Sequence, residues 1–207
     1  MLDGGLRLSL REVFGEAERL LSEQAGGTGR KREDTVGDLI AFFIDRLKVV
    51  LRDQGQRHDL VEAAVGRDDD LVRIVARVQA LSDFLTTEDG ANLLAGYKRA
   101  GNILKAEEKK DALPAGAAVP MAGAPAEEAA LISAISLAEP EVARALQHED
   151  FAGAMRALSR MRRPVDAFFE GVLVNSEVAA ERENRLRLLV QVRDAMGEVA
   201  DFSLVNG

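Results

Sequence analysis

The stretch TEDGANLLAGYKRAGNILKAEEKK, residues 87–110, decides the fold. Four of its apolar residues fall on one face of a helical projection: Leu93, Tyr97, Ala100 and Leu104. Four polar residues, at offsets of 0, 4, 7 and 11, form a stripe on another face: Lys98, Asn102, Lys105 and Lys109. Spacings of three and four are typical of an amphipathic α-helix. We therefore predict a helix over these residues, with Tyr97 in the core.

The charge of this stretch is opposite to that of the whole chain. Residues 96–110 carry five cations and two acids, a local sum of 5 − 2 = +3, whereas the 207-residue chain has a formal net charge of −8. Such an acidic chain is unsuited to indiscriminate nucleic-acid binding, which depends on neutralising phosphates with Lys and Arg. The basic stretch is then either an ordinary solvated helix face or a surface that meets an anionic partner.

The helical period continues through the rest of the chain, and strict alternation of apolar and polar residues is nearly absent. With 47% apolar and only 4% aromatic residues, the sequence favours close packing of helices, and we predict an all-α helical bundle. The predicted helices cover residues 9–23, 35–54, 59–65, 70–85, 87–110, 126–137, 140–146, 150–161, 164–174 and 178–199. Ser9 and Thr35 are predicted N-caps, and residues 111–125, with three of the five prolines, are predicted to form a loop.

Composition also limits the location and chemistry of the protein. The absence of cysteine removes disulfides, thiolate nucleophiles and cysteine metal sites, and is compatible with a reducing cytosol. No apolar run approaches the roughly 20 residues that span a bilayer, and the first ten residues lack the features of a signal peptide. We therefore expect a cytoplasmic protein without membrane contact.

Motifs for catalysis or metal binding are weak. GGTGRKRED, residues 26–34, lacks the spacing and the hydroxyl of a phosphate-binding loop and is better interpreted as a flexible turn. The pair His58-Asp59 resembles a metal-phosphohydrolase motif, but the chain has only one other histidine, so we interpret Asp59 as a helix cap. The three acids of residues 68–70 suit the positive end of a helix dipole. We predict neither catalytic nor metal-binding residues.

Cations on helices do recur. Residues 151–163 carry four arginines and no acid, and residues 181–193 carry four more. Arginine can pair with phosphates or stack on bases. The alternative is a solvated surface on which arginine stems cover apolar area.

Four segments in collinear order resemble a known family. They are GDLIAFFIDRLKVVLRDQGQRHDLVEA (37–63), TEDGANLLAGYKRAGNILKAEEK (87–109), RRPVDAFFEGVLVN (162–175) and ENRLRLLVQVRDAMGEVADFS (183–203). Together they resemble the carboxy-terminal part of the beta subunit of bacterial glycyl-tRNA synthetase.

The resemblance implies a division of the chain and a set of partners. Residues 87–207 would form the helical anticodon-binding domain of the DALR type, with a flexible loop at 111–125, and residues 1–86 the end of the subunit's helical body. The chain would be a piece of the beta subunit, lacking its upstream domains. Its partners would be glycine tRNA, the alpha subunit, which carries glycine activation, and the remainder of the beta subunit. ATP would be used by the holoenzyme, with no cofactor in this chain.

The resemblance also directs attention to an RNA site. Glycine anticodons end in two cytosines, whose amino donors a carboxylate or amide oxygen can accept. We predict that Lys98, Arg99, Asn102 and Lys105 form one wall of the anticodon site, with cations on the phosphates and Asn102 on a base edge. Second choices are Arg182, Arg185 and Lys48. The alternative is a non-catalytic structural module whose cationic faces dock on acidic surfaces of the same assembly, without base recognition.

Overall fold

A computed structural model describes residues 4–25, 31–66 and 68–206. Within these ranges the regular elements are helices and no strand forms, which confirms the all-α class. The chain forms two compact units, Met1–Gln79 and Ala80–Gly207. The predicted domain boundary after residue 86 follows the end of a helix, whereas the two units part inside that helix. The division into residues 1–86 and 87–207 stays a prediction.

The described residues of the first unit contain helices α1 (Leu10–Ala25), α2 (Arg32–Asp53), α3 (His58–Val65) and the start of α4 (Leu71–Leu85). Helix α2 packs on both α1 and α3. Their apolar faces meet in one core, whose buried members include Leu10, Leu47, Leu51, Val61, Ile74 and Val78. This core is aliphatic, as the low aromatic content indicates.

Acids and a serine fix the starts of α1 and α4. The Ser9 hydroxyl accepts a hydrogen bond from the Glu12 amide at 3.2 Å, which confirms Ser9 as a cap. The Asp70 carboxylate accepts from the amides of Val72 and Arg73 at 2.9 and 3.2 Å. Asp69 accepts from the Ser9 hydroxyl at 2.8 Å, so these acids join the two helix starts.

Two predictions for the first unit are wrong. Helix α2 begins at Arg32 with no side-chain cap, so Thr35 lies inside it and donates to the Lys31 carbonyl instead. Asp59 lies in the first turn of α3 and pairs with Arg57 at 2.6 Å rather than capping the helix. Helix α1 leaves three large apolar side chains exposed: Val13, Leu20 and Leu21. The predicted turn at 26–34 lies mostly outside the described residues.

The second unit continues with α5 (Glu88–Glu108), α6 (Ala126–Gln147), α7 (Phe151–Ser159), α8 (Arg162–Gly171) and α9 (Ala179–Gly197). A short 3-10 helix, Phe202–Leu204, follows. Helix α5 packs on α8 and α9, and α6 packs on α7, α8 and α9. Side chains that are fully buried in this unit include Leu93, Leu104, Leu131, Ile135, Leu158 and Phe168.

Helix α6 corrects the prediction of two helices on either side of Pro140. It runs unbroken through the proline, which lies exposed on its surface. Buried residues continue at helical spacing across the site: Ile135, Ala138 and Val142. Packing of that face offsets the hydrogen bond that Pro140 cannot donate.

The predicted loop at 111–125 forms no regular element, as expected from its prolines. Side chains of α9 hold its middle. Asn184 accepts from the Val119 amide and donates to the Val119 carbonyl, each at 2.9 Å, and Gln191 accepts from the Ala118 amide at 2.8 Å. Arg187 donates to the Ala115 carbonyl at 2.9 Å. The loop is therefore hydrogen-bonded to three residues of α9 that lie about one helical turn apart.

Candidate nucleic-acid interface

Helix α5 positions the predicted site residues. Thr87 caps it, accepting from the Gly90 amide at 3.0 Å. Its buried face includes Leu93, Tyr97 and Leu104, and the Tyr97 and Phe202 rings lie 5.7 Å apart, which confirms Tyr97 as a core residue. Because this face is fixed against α8, α9 and the 3-10 helix, the polar stripe must point away from the core.

Three of the predicted residues line one groove. Lys98, Asn102 and Lys105 lie along a groove of about 510 Å³. The opposite lining comes from α9 and from the end of the described chain, and includes Arg193, Ser203, Val205 and Asn206. Asn102 and Lys105 are exposed and Lys98 is half-buried. Of the predicted residues, the structure thus brings two cations and an amide together, in a groove that also contains Arg193 and one acid, Glu108.

The two lysines of this groove differ from most arginines of the same unit, because their side chains have no partner among the residues that the structure describes. No ion pair or hydrogen bond to another described residue engages the side chains of Lys98, Asn102 or Lys105. Arg193, by contrast, pairs with Asp194 at 2.9 Å. Unpaired donors keep their full capacity for an external anion. The groove can therefore accept a phosphate without breaking an existing pair of Lys98 or Lys105.

Arg99 lies on a different face of α5 from the other three residues. Its guanidinium carbon lies 4.5 Å from the centroid of the Phe169 ring on α8. The two side chains line a separate pocket together with Asn92, Asp166 and Glu170. The structure therefore does not bring Arg99 into the groove of Lys98 and Lys105.

Arg182 lies at a third place, near the end of α5. It forms an ion pair with the buried Glu107, which also accepts from the Lys110 ammonium at 2.8 Å. The hydrogen bond from Lys110, supported by the charge of Arg182, lowers the pKa of Glu107 below its ordinary value of 4.5. These residues line a cavity of about 600 Å³ with residues 111–114. Arg182 is partly exposed, but it already has an anionic partner.

Arg185 is a structural residue. Its side chain is 6% exposed, and it pairs with Glu128, itself 1% exposed, at 2.9 Å. It also donates to the Leu173 carbonyl at 3.0 Å and pairs with Glu181 at 3.1 Å. A guanidinium buried and bonded in this way has little capacity left for RNA, so we do not keep it in the candidate site.

Lys48 belongs to the first unit. It pairs with Glu62 at 2.9 Å and approaches Asp45 at 3.7 Å. Its ammonium is therefore already engaged by acids of its own unit.

Sequence reasoning did not select the residues opposite the lysine stripe or beside Arg99. Ser203 and Asn206 lie in a segment without periodicity, so no pattern pointed to them. Asp166 and Glu170 are four residues apart and therefore share a helix face with Phe169. That spacing was a usable signal, but acids are too numerous in this chain to single out a pair.

Two further features of the described residues concern metals and membranes. Among them no group of three or more His, Asp or Glu side chains is arranged to hold a metal ion. None of the helices described is both long enough and apolar enough to cross a bilayer.

Comparisons with known proteins agree with the resemblance seen in the sequence. Residues 93–202 match the family model described as the DALR anticodon binding domain. The chain is 67% identical over 172 residues to the glycine–tRNA ligase beta subunit of Phenylobacterium zucineum, covering 82% of this chain and 26% of that protein. It is 48% identical over 211 residues to the protein of the same name from Rhodospirillum centenum, covering 100% of this chain and 29% of that protein.

A third relative gives the same result. The glycine–tRNA ligase beta subunit of a Ruegeria species is 46% identical over 211 residues, again covering 100% of this chain and 29% of the relative. The chain therefore spans between about a quarter and a third of the length of these relatives. These similarities confirm the resemblance to the beta subunit.

Proposed function

We propose, since this chain belongs to the DALR anticodon binding domain family, that residues 87–207 bind the anticodon arm of a glycine tRNA. The name of the relatives, glycine–tRNA ligase beta subunit, supplies the choice of tRNA. The chain would act within a ligase whose ATP-dependent chemistry takes place elsewhere. Its partners would be the alpha subunit and the remainder of the beta subunit.

The observation that carries the proposal is the groove of Lys98, Asn102 and Lys105. RNA loops are bound through cations on phosphates and hydrogen-bonding groups on the edges of unstacked bases. Both lysines have free ammonium groups among the described residues, and the exposed Asn102 lies between them in the stripe. This combination suits an RNA strand whose phosphates follow α5 and whose bases include one with its edge turned towards Asn102.

The anticodon arm lies far from the acceptor end of a tRNA, where the amino acid is attached. Binding of this arm would therefore affect catalysis by positioning the tRNA. Binding energy collected at a remote part of a substrate can be used to orient the reacting group. The anticodon domain would hold the tRNA so that its acceptor end reaches the active site of the assembled ligase.

A second candidate is a structural or subunit-docking module, and one observation favours it for the first unit. Helices α1 and α2 expose several large apolar side chains: Val13, Leu20, Leu21, Leu39, Phe42 and Val50. Apolar surface of this kind is typical of contacts with other protein. Docking by α1 and α2 is compatible with RNA binding by the second unit, so the experiment must address the groove itself.

The test measures the affinity of this 207-residue chain for fluorescent glycine tRNA by anisotropy at several salt concentrations. The Lys98→Ala/Lys105→Ala double variant should bind more weakly. The plot of log affinity against log salt should become less steep by about 1.4, because each of the two lost phosphate contacts to a single strand contributes about −0.7 to its slope.

A matched control removes two exposed cations that do not line the groove, Arg144→Ala/Arg160→Ala. Its salt slope should stay close to that of the unchanged chain. Equal losses in both double variants would indicate a general charge effect and contradict the groove. Salt-insensitive binding, or none, would favour the docking module.

A further inference from the structure

A small pocket between α5 and α8 combines an aromatic ring, a cation and two carboxylates. Its volume is about 200 Å³, and its polar and aromatic lining residues are Asn92, Arg99, Asp166, Phe169 and Glu170. Sites for drug-sized molecules are usually larger, about 300–1,000 Å³. The pocket therefore suits one small planar group rather than an extended ligand.

The ring and the cation form a fixed platform. The Arg99 guanidinium lies 4.5 Å from the Phe169 ring centroid, and the Phe169 ring meets Phe168 edge-to-face at 5.6 Å between centroids. Phe168 is fully buried, so the half-buried Phe169 ring packs on the core through it. Both aromatic rings and guanidinium planes are surfaces on which unstacked bases pack.

The carboxylates supply acceptors at the edge of this platform. Glu170 is exposed and has no ion pair or hydrogen bond to another described residue. Asp166 is held by Arg162 at 2.9 Å, which fixes its position. An ionised carboxylate only accepts hydrogen bonds, so it attracts an exocyclic amino group and repels a carbonyl oxygen.

Close packing of the two helices keeps the pocket narrow. A Cβ atom on Gly96 would lie 2.6 Å from Cγ1 of Val165, which is well inside contact distance. Only glycine at this position lets α8 approach α5 so closely. The spacing of α5 and α8 at this pocket is therefore set where Gly96 faces Val165.

We propose that this pocket recognises one unpaired cytosine of the anticodon, which makes it a specificity site distinct from the lysine groove. The inference rests on the proposed function. Cytosine offers an amino group to Glu170, with Asp166 as the second acceptor, while its O2 and N3 accept from Arg99 or Asn92. Uracil has a carbonyl in place of the amino group, so it would set an oxygen against the carboxylates.

The pocket and the groove are compatible with one RNA strand. A helix rises 1.5 Å and turns about 100° per residue, so Arg99 and Asn102 are separated by about 4.5 Å along the axis of α5. They lie on adjacent sides of the same helix. A strand whose phosphates follow the lysines can therefore turn one splayed base towards Arg99.

The experiment compares three RNAs by fluorescence anisotropy with the full 207-residue chain. They are glycine tRNA and two versions in which one or the other anticodon cytosine is changed to uridine. The unchanged chain should prefer cytosine by about tenfold or more at the recognised position. In the Asp166→Asn/Glu170→Gln variant this preference should fall towards one at that position only, because an amide can also donate to the uracil carbonyl.

Two variants control for charge and for fold. Glu139→Gln/Glu177→Gln removes the same number of negative charges, from exposed positions outside the pocket, and should keep the full preference. Phe169→Leu keeps an apolar side chain but removes the platform. It should weaken binding of cytosine and uridine RNAs by similar factors while the helical circular dichroism signal is retained.

The outcomes separate this inference from the function on which it rests. Absence of binding would overturn both, whereas equal, salt-sensitive binding of all three RNAs by the unchanged chain would overturn the pocket and leave anticodon-arm binding by the lysine groove in place. A cytosine preference that survives intact in Asp166→Asn/Glu170→Gln would overturn only the pocket and leave recognition to the groove of Asn102.

Discussion

Helices α5 and α9 carry the same kinds of side chain in opposite environments. On α9, Asn184 and Arg185 are buried, and each donates hydrogen bonds both to the Glu128 carboxylate and to a backbone carbonyl. On α5, Asn102 and Lys105 are exposed, without an ion pair or side-chain hydrogen bond to another described residue. One amide and cation belong to the interior, while the other amide and cation face solvent.

Burial and an ion-pair partner distinguish cations that stabilise the fold from cations that are available to a ligand. A buried ion pair needs its partner, because an isolated charge in the interior is strongly unfavourable. A solvated lysine has water as its partner and can exchange it for a phosphate. Loss of Asn184 or Arg185 on α9 should therefore destabilise the fold, whereas loss of Asn102 or Lys105 on α5 should change only binding.

The largest expected effect is from Arg185→Ala. It leaves the Glu128 carboxylate buried without its main charged partner, and the free energy of unfolding should fall by about 3–5 kcal/mol. Lys105→Ala, the matched exposed change, should alter it by no more than about 0.5 kcal/mol. Urea denaturation followed by circular dichroism measures both. Similar losses in the two variants would break the comparison.

The two asparagines provide an intermediate effect. Asn184→Ala removes two hydrogen bonds to Val119 and one to Glu128, so it should cost about 1–3 kcal/mol of unfolding free energy. Asn102→Ala should leave stability nearly unchanged and instead weaken binding of glycine tRNA. Thermal melts and anisotropy on the same two proteins test this reversal. A stability loss in Asn102→Ala would show that its side chain contributes to packing.

The smallest effect concerns Glu107, a buried acid of α5 whose partners Lys110 and Arg182 are more exposed than it is. Its pKa is lowered in the folded protein, chiefly by the hydrogen bond from Lys110. A lowered pKa means that the folded state favours the ionised form. The resulting stability is present above the ordinary value of 4.5 and is lost as pH falls through the lower folded value.

Urea unfolding of the unchanged chain and of Glu107→Gln from neutral to acidic pH tests this sign. The stability difference between them should be steady above about pH 5 and should shrink on further acidification. Other carboxylates titrate in both proteins and largely cancel. A difference that grows as pH falls would mean that Glu107 is stabilised in its protonated form.

Much of the fold follows from sequence because helical periodicity and capping are local. The cap at Ser9 and the burial of Tyr97 depend on residues a few positions apart. Pro140 was misleading because tertiary packing of α6 outweighs a local helix breaker. The exposed apolar residues of α1 show the same limit, since periodicity predicts a face but not what covers it.

The candidate site was less predictable, because pairing across helices is not visible in a linear pattern. Arg185 lies in a run of arginines that all look alike in sequence, yet Glu128, 57 residues away, makes it structural. Lys98 and Arg99 are neighbours in sequence but lie in separate cavities, because successive residues of a helix point in different directions. Only the packing of α8 and α9 on α5 distinguishes them.

The conformation of the loop at residues 115–119 is determined mainly by residues of α9 and not by the side chains of the loop itself. Asn184, Arg187 and Gln191 hold this loop through its main-chain groups, so its own side chains are largely uncommitted. The exceptions are Gly116, whose φ of 91° favours glycine, and Ala118, whose side chain is buried. Related chains could therefore change the rest of this loop and still keep its course, as long as α9 keeps its three anchors, the turn keeps its glycine and residue 118 stays small.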